Sequence, residues 1–284
     1  MMKILTQKRC VIGEGPIWCE REKLLYFVNG IENEICTYDP KNDIFCTYPQ
    51  EIGVAAIAFA LDGRMLVTRK DGVFFLDLST GKSSPTYDET VKIINANDAK
   101  VGPDGCFYVG TQSEFRLGLS DKIDGKLYRI TPDGTVALLL DGLILANGMD
   151  WSPDERFFYL ADTGAKKVRK YEFKHGNIQF TGQEIHLSGA DGLCIDQNGD
   201  LYVACWGKSS VAVDETESMT EKARIELPTN APASCAFFGK EMNQLVITTA
   251  AYPKNIEHDE AAGSLLTQEM PIAGRLPYYF GETR

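Results

Sequence analysis

The chain has 284 residues, of which 44% are hydrophobic and 24% charged, with a formal net charge of −11. That length and apolar content allow a full core, as one large all-β domain or two small domains. The acidic balance leaves no basic footprint for nucleic acid or an anionic membrane.

The first stretch, MMKILTQKRCVIGEGP, has too short an apolar core for a secretory signal. VAAIAFAL (54–61) runs into Asp62, and VALLLDGLILA (136–146) is broken by Asp141, so neither run reaches membrane-spanning length. A cytoplasmic protein with no membrane partner is expected. Cysteines at 10, 19, 36, 46, 106, 194, 205 and 235 form no CxxC pair. Several fall in strand-like runs such as GLCID and YVACW, and they read as reduced core thiols, not a disulfide frame or zinc site.

In chain order, one strand–turn–strand unit recurs: GEGPIWCEREKLLYFVN, VAAIAFALDGRMLVTR, NANDAKVGPDGCFYVGTQ, ANGMDWSPDERFFYLADT, ADGLCIDQNGDLYVACW and APASCAFFGKEMNQLVITTA. Each has a short apolar strand, a turn rich in Asp, Gly, Pro or Asn, and a strand of β-branched and aromatic residues. Most continue into a third strand, as in GVFFLDLSTGK, GKLYRITPDGT and KVRKYEFKHGN. The first strands end at Trp18, Phe59, Val101, Trp151, Ile195 and Phe237, spaced by 41, 42, 50, 44 and 42 residues.

Such periods, with about four strands each, predict a six-bladed β-propeller over residues 1–284, its four-stranded blades set around a central channel. A β-sandwich would need the spacing to be coincidence. The longest gap falls at SEFRLGLSDKIDG, read as a loop insertion. Closing the ring predicts that KILTQKR adds a strand to the last blade. GKSSVAVDETESMTEK (207–222), hydrophilic after VAV, reads as a loop beside the channel mouth.

In LANGMDW, Asn147-Gly148 precedes a first strand, where no tight turn is needed. Four residues before each first-strand end stand Glu14, Ala55, Asn97, Asn147, Asp191 and Ala233. In a propeller these positions lie at the channel mouth. Two carboxylates and two amides converging on an axis suit a hard divalent cation, with water completing its shell. Carboxylates buried together would otherwise repel one another. The alternative is that the asparagines are turn caps bonded to backbone.

GEGPIW, NDAKVGPDGCFYVGT, LANGMDWSPD, ADGLCIDQNGDLYVACW and CAFFGKEMNQLVITTA, in this order over about residues 10–255, resemble the regucalcin / gluconolactonase / luciferin-regenerating-enzyme family of six-bladed propellers. The resemblance implies metal ligands Glu14, Asn147 and Asp191, with Asn97 close by, touching substrate or a metal-bound water. It implies hydrolysis of a small lactone, most often an aldonolactone, with calcium, magnesium, manganese or zinc. Asp191 would be general base as well as ligand. The all-oxygen donor set favours calcium, magnesium or manganese over zinc.

One departure stands out. Where family members with gluconolactone activity often have RxND, this chain has NAND, so Asn95 replaces an arginine that would bind sugar hydroxyls. Asn95 is still a candidate to hydrogen-bond a substrate hydroxyl, but with fewer donors, no charge and a shorter reach. Glu114 and Arg116 are either replacements from the same face or solvated loop charges. Asp98 reads equally as a structural turn residue.

DQNGD (196–200) lacks the closing glutamate and helices of an EF-hand and reads as a hairpin turn. Neither GxSxG nor a phosphate-binding glycine loop occurs. His175, His186 and His258 fall away from the channel positions. Three functions remain: a metal-dependent lactonase, a hydrolase of another ester or organophosphate on this scaffold, and a non-catalytic metal- or ligand-binding propeller.

Overall fold

Short side chains end the strands. Asp39 Oδ1 accepts the N–H groups of Lys41 and Asn42 (2.9 and 3.2 Å), and Asp62 Oδ1 accepts that of Arg64 (3.0 Å). Asp196 Oδ1 accepts those of Asn198 and Asp200 (2.9 and 3.0 Å), so DQNGD is the hairpin turn its sequence predicts. The computed structural model of the chain describes residues 2–6, 8–87, 90–252 and 259–282.

After β1 (Lys3–Ile4), the first blade holds β2 (Gly13–Cys19), β3 (Leu24–Asn29), β4 (Glu34–Asp39) and β5 (Ile44–Pro49). The second holds β6 (Val54–Phe59), β7 (Met65–Arg69), β8 (Gly72–Leu76) and β9 (Ser83–Pro85). The third holds β10 (Ala96–Val101), β11 (Phe107–Thr111), β12 (Gly125–Ile130) and β13 (Val136–Leu143), with helix α1 (Glu114–Leu117) between β11 and β12. The fourth holds β14 (Ala146–Trp151), β15 (Phe157–Asp162), β16 (Lys167–Lys174) and β17 (Asn177–His186). The fifth holds β18 (Ala190–Ile195), β19 (Asp200–Cys205), β20 (Ser210–Glu215) and β21 (Thr220–Glu226). The last holds β22 (Pro232–Phe238), β23 (Gln244–Thr249) and β24 (Leu265–Glu269).

Each sheet is a four-stranded antiparallel meander, and together they are a six-bladed β-propeller. The last sheet takes its fourth strand from the N-terminus, Lys3 pairing with Thr267 and Ile4 with Leu266, which is the closure the sequence predicts. Residues 207–222 depart from expectation. They build most of the β20–β21 hairpin, because the hydrophilic half is an outer strand with exposed side chains and the apolar half is buried.

The chain divides into two compact units, Met1–Gly53 with Leu187–Pro277, and Val54–His186 with Tyr278–Arg284. In the first, β2 and β18 both pack on β22, around a core that includes Trp18, Phe27, Phe237 and Leu245. In the second, β6 and β14 both pack on β10. Trp151 is fully buried there, edge-on to Tyr108 at 4.9 Å and beside Phe158 at 5.0 Å. Truncating such a side chain to alanine costs about 3–5 kcal/mol. All eight cysteines are free thiols and seven are buried, as strand-core residues should be. Among the described residues no helix is long and apolar enough to cross a membrane.

Asp214 on β20 is fully buried, and neither of its carboxyl oxygens has a hydrogen-bond partner. Burial, reinforced by Glu221 and opposed by Arg224, pushes it from 3.8 up to about 6. The folded state therefore holds this proton more tightly than the unfolded chain does. The stabilisation is complete below the ordinary value and is lost as pH rises through 6. Asp214→Asn keeps the shape without the charge. Urea denaturation should find it about 2–3 kcal/mol more stable than the parent at pH 8, the gap shrinking to about 0.5 kcal/mol at pH 4. Equal stability at both pH values would show that Asp214 is solvated.

Candidate functional site

All six positions singled out by spacing lie at an irregularity in the strand pairing. Between Ala96↔Thr111 and Ala99↔Val109 the chain advances three residues on β10 against two on β11. The same extra residue enters β14 between Ala146 and Met149, and β18 between Ala190 and Leu193. It enters β2 between Glu14 and Ile17, β6 between Val54 and Ala56, and β22 between Pro232 and Ser234. A β-bulge bends its strand and re-aims the side chains beside it. Asn97, Asn147 and Asp191 are therefore bulge residues, and Glu14 borders one.

In the first unit, half-buried Glu14 precedes Gly15, whose φ of 53° is left-handed and suits glycine. Asp191 is 6% exposed. A Cβ at the following Gly192 would stand 2.0 Å from Ser234 Oγ, so β18 and β22 approach too closely for any other residue there. Ala233, fully buried, holds the equivalent place on β22.

In the second unit Asn147 is 7% exposed, and its Nδ2 donates to Thr163 Oγ1 at 3.1 Å. That bond turns Oδ1 away from Thr163. Asn97 Nδ2 donates to the Ala146 carbonyl (3.1 Å), while its Oδ1 accepts from Gln112 Nε2 (3.2 Å). The Gln112 backbone N–H in turn donates to the Asn95 carbonyl at 2.9 Å. Asn95, Asn97, Gln112 and Ala146 are thus tied at one end of β10 and β14. For Asn97 the backbone-bonded reading holds in part, since one N–H caps a carbonyl. Asn95 itself is left-handed, with φ 55°, and its backbone N–H donates to the Lys70 carbonyl.

Glu114 is turned into its own loop: its Oε2 accepts from Ser120 Oγ at 2.6 Å and lies 3.7 Å from Lys122 Nζ. Arg116 is exposed. Asp98 sits in the β10 bulge, with Oδ1 accepting from the Ala99 N–H at 2.8 Å. Burial pushes its carboxyl up, and the Lys100 ammonium works against that. Lys100 donates in turn to Asp150 Oδ2 at 2.8 Å.

This polar run along β10 and β14 was not anticipated, though Lys100 and Asp150 stand out as charges in short first strands. Also missed were the anchors that fix where first strands begin. Asn29 Oδ1 accepts the N–H groups of Val11 and Ile12 (3.0 and 3.3 Å). Asp162 accepts those of Ile144, Leu145 and Ala165 (3.3, 3.1 and 3.3 Å). Aligning the second-strand ends YFVN and YLAD would have found both.

The donors Glu14, Asp191 and Asn147 are all oxygen, a composition that fits a hard divalent cation. Among the described residues no three His, Cys, Asp or Glu side chains form a metal-holding group. This set has two carboxylates and an amide, so water would complete a cation's shell. His175 lies in the β16–β17 turn and His186 is exposed beside Glu184, while His258 lies outside the described residues.

Asp162 is 2% exposed and holds three backbone donors. Asp162→Ala should lower the unfolding free energy by about 2–4 kcal/mol in a urea titration, because those donors lose their partner. A loss under about 0.5 kcal/mol would mean water replaces it freely.

Residues 12–251 match the family model described as the SMP-30/Gluconolactonase/LRE-like region. Regucalcin of Xenopus laevis is 30% identical over 84% of this chain and 83% of its own length. The Bacillus subtilis (strain 168) protein YvrE, to which a sugar lactone lactonase activity is ascribed, is 29% identical over 96% of both chains. Among solved structures, the calcium-binding regucalcin of Agrobacterium tumefaciens str. C58 superposes with a TM-score of 0.87 at 22% identity, covering 99% of this chain and 97% of that one. That last likeness concerns the fold.

Proposed function

Since the chain belongs to the SMP-30/gluconolactonase/LRE-like family, we propose that it is a divalent-metal-dependent hydrolase that opens the ester of a small lactone. The observation that carries this reading is the placing of Glu14, Asn97, Asn147 and Asp191 at bulges, where a side chain is aimed by backbone geometry. The relatives' sugar-lactone and gluconolactone names support the substrate class.

On this reading Glu14, Asn147 and Asp191 hold the cation, calcium being preferred by the donor chemistry and magnesium or manganese next. A cation held there would supply Lewis-acid polarisation of the lactone carbonyl and offset the negative charge that develops on its oxygen. Asp191 accepts a proton from the attacking water. Enclosure of Asp191 keeps bulk water from competing for its carboxylate. The Thr163 bond to Asn147 fixes which way that amide faces, so that its oxygen is preoriented. Asn97, held by Gln112 and the Ala146 carbonyl, has a second Nδ2 hydrogen to offer a lactone oxygen. The products are a hydroxycarboxylate and a released proton.

Proton release from a panel of aldonolactones, on metal-stripped protein and after adding back calcium, magnesium, manganese or zinc, tests this. Turnover should require metal and fall at least 1000-fold in Asp191→Ala, of the order seen when a general base and its accompanying electrostatics are both removed. Full turnover in stripped protein, or an active Asp191→Ala, would refute the mechanism.

A further inference from the structure

Among the described residues, exposed large apolar side chains crowd into one stretch. Ile94 is 56% exposed, Phe115 50%, Leu117 39%, Leu119 70% and Ile123 48%. Four of these belong to the insertion between β11 and β12, whose helix α1 buries none of its residues. Several of its polar groups are used within the insertion. The Glu114 N–H donates to Asp124 Oδ1 (2.8 Å), Ser120 Oγ to Glu114 Oε2 (2.6 Å), the Lys122 N–H to Ser120 Oγ (3.1 Å) and the Phe115 N–H to the Lys122 carbonyl (2.9 Å). The loop thus ties Glu114, Ser120 and Asp124 to its own backbone and side chains, and turns Phe115, Leu117, Leu119 and Ile123 to solvent alongside the charged Arg116, Asp121 and Lys122. A run of that kind on a soluble surface marks a place where something apolar is bound.

Its roots say what that is. The insertion starts directly after Gln112, which bonds Asn97 Oδ1 with its side chain and the Asn95 carbonyl with its backbone. The Ser113 N–H and Oγ both donate to the Ile144 carbonyl, at the entry to β14. Ile94 adjoins Asn95, the residue standing where a sugar-binding arginine is expected. Glu114, the other residue placed to meet hydroxyls, has its Oε2 turned to Ser120 and lies 3.7 Å from Lys122. Polar reach toward a polyhydroxylated ring is reduced at the same end of β10 where apolar surface is added.

We propose that this apolar insertion binds an alkyl substituent of the lactone, so that the substrate class is an alkyl-substituted lactone and not a polyhydroxylated sugar lactone. The inference rests on the lactonase reading of the same site. Leu117 and Leu119 are specificity residues, outside the proposed proton-transfer machinery. Complete burial of a methylene is worth roughly fourfold in affinity, and a rim open to water on one side about half that energy, or about twofold.

The test is hydrolysis of γ-lactones whose 5-substituent runs from hydrogen through methyl and butyl to hexyl, in calcium-supplied protein, with glucono-lactone alongside. Binding of the matching 5-alkyl-2-pyrrolidinones is read by calorimetry. The expected kcat/KM rises at least tenfold from methyl to hexyl and exceeds that on glucono-lactone. In a Leu117→Ser, Leu119→Ser double variant the rise should flatten, with the rate on the unsubstituted lactone unchanged within about twofold. A flat series with normal turnover, or a preference for glucono-lactone, overturns the alkyl inference and leaves the lactonase reading intact. If no lactone is turned over, the lactonase reading fails instead. The lactam series then decides: affinity that grows with chain length and is lost in the double variant upholds apolar binding at this loop, and affinity independent of chain length overturns it.

Discussion

The constraint on which this molecule depends is the extra residue in the first strand of every blade. A regular strand alternates its side chains between two faces, so it cannot present two adjacent residues in the same way. The bulge breaks that alternation where Asn97, Asn147 and Asp191 stand, and where Glu14 precedes Gly15. The rest of each blade serves to hold that irregularity. Asn29 and Asp162 secure the chain entering β2 and β14, and close packing of Gly192 on Ser234 leaves β18 no freedom to straighten. At two of the bulges the freed backbone donor is met by a side chain, Thr68 Oγ1 accepting the Ala56 N–H (2.8 Å) and Thr248 Oγ1 that of Ser234 (3.2 Å).

Two blades lack an oxygen at this position and carry Ala55 and Ala233 instead. Their bulges persist without a donor, so the irregularity belongs to the repeat and the chemistry to the residues set upon it. On the proposed reading, asymmetry within a symmetric scaffold is what makes a site: two acids, two amides and two small residues. The apolar insertion of the third blade is a second asymmetry, grafted where a two-residue turn serves the second blade between β7 and β8. On the proposed reading the first concerns the reacting ester, and the second what surrounds it.

Much of the fold could be read from the sequence because turn chemistry and strand composition repeat at a nearly constant spacing. The unit ending at Trp151 and the one ending at Ile195 share few identical residues, yet both place polar turn residues after an apolar strand. The N-terminal closing strand follows from counting alone. The hairpin at 207–222 was misread because its outer strand, TEKARIE, meets solvent on most of its side chains and carries no alternation. Spacing located the four oxygen-bearing positions, but bulges leave no periodic trace, so their common backbone geometry was invisible. Glu114 illustrates the limit. Its place after GTQ suggested a substrate contact, whereas the partners that occupy it, Ser120 and Lys122, depend on how the insertion folds back.

The central proposal is that Glu14, Asn147 and Asp191, on three separate first strands, hold one cation. Calorimetric titration of calcium into metal-stripped protein tests it most directly, in the parent and in Glu14→Ala, Asn147→Ala and Asp191→Ala variants shown to be folded. The account predicts one site per chain, weakened by each substitution alone. Calcium binding that survives all three unchanged would contradict it.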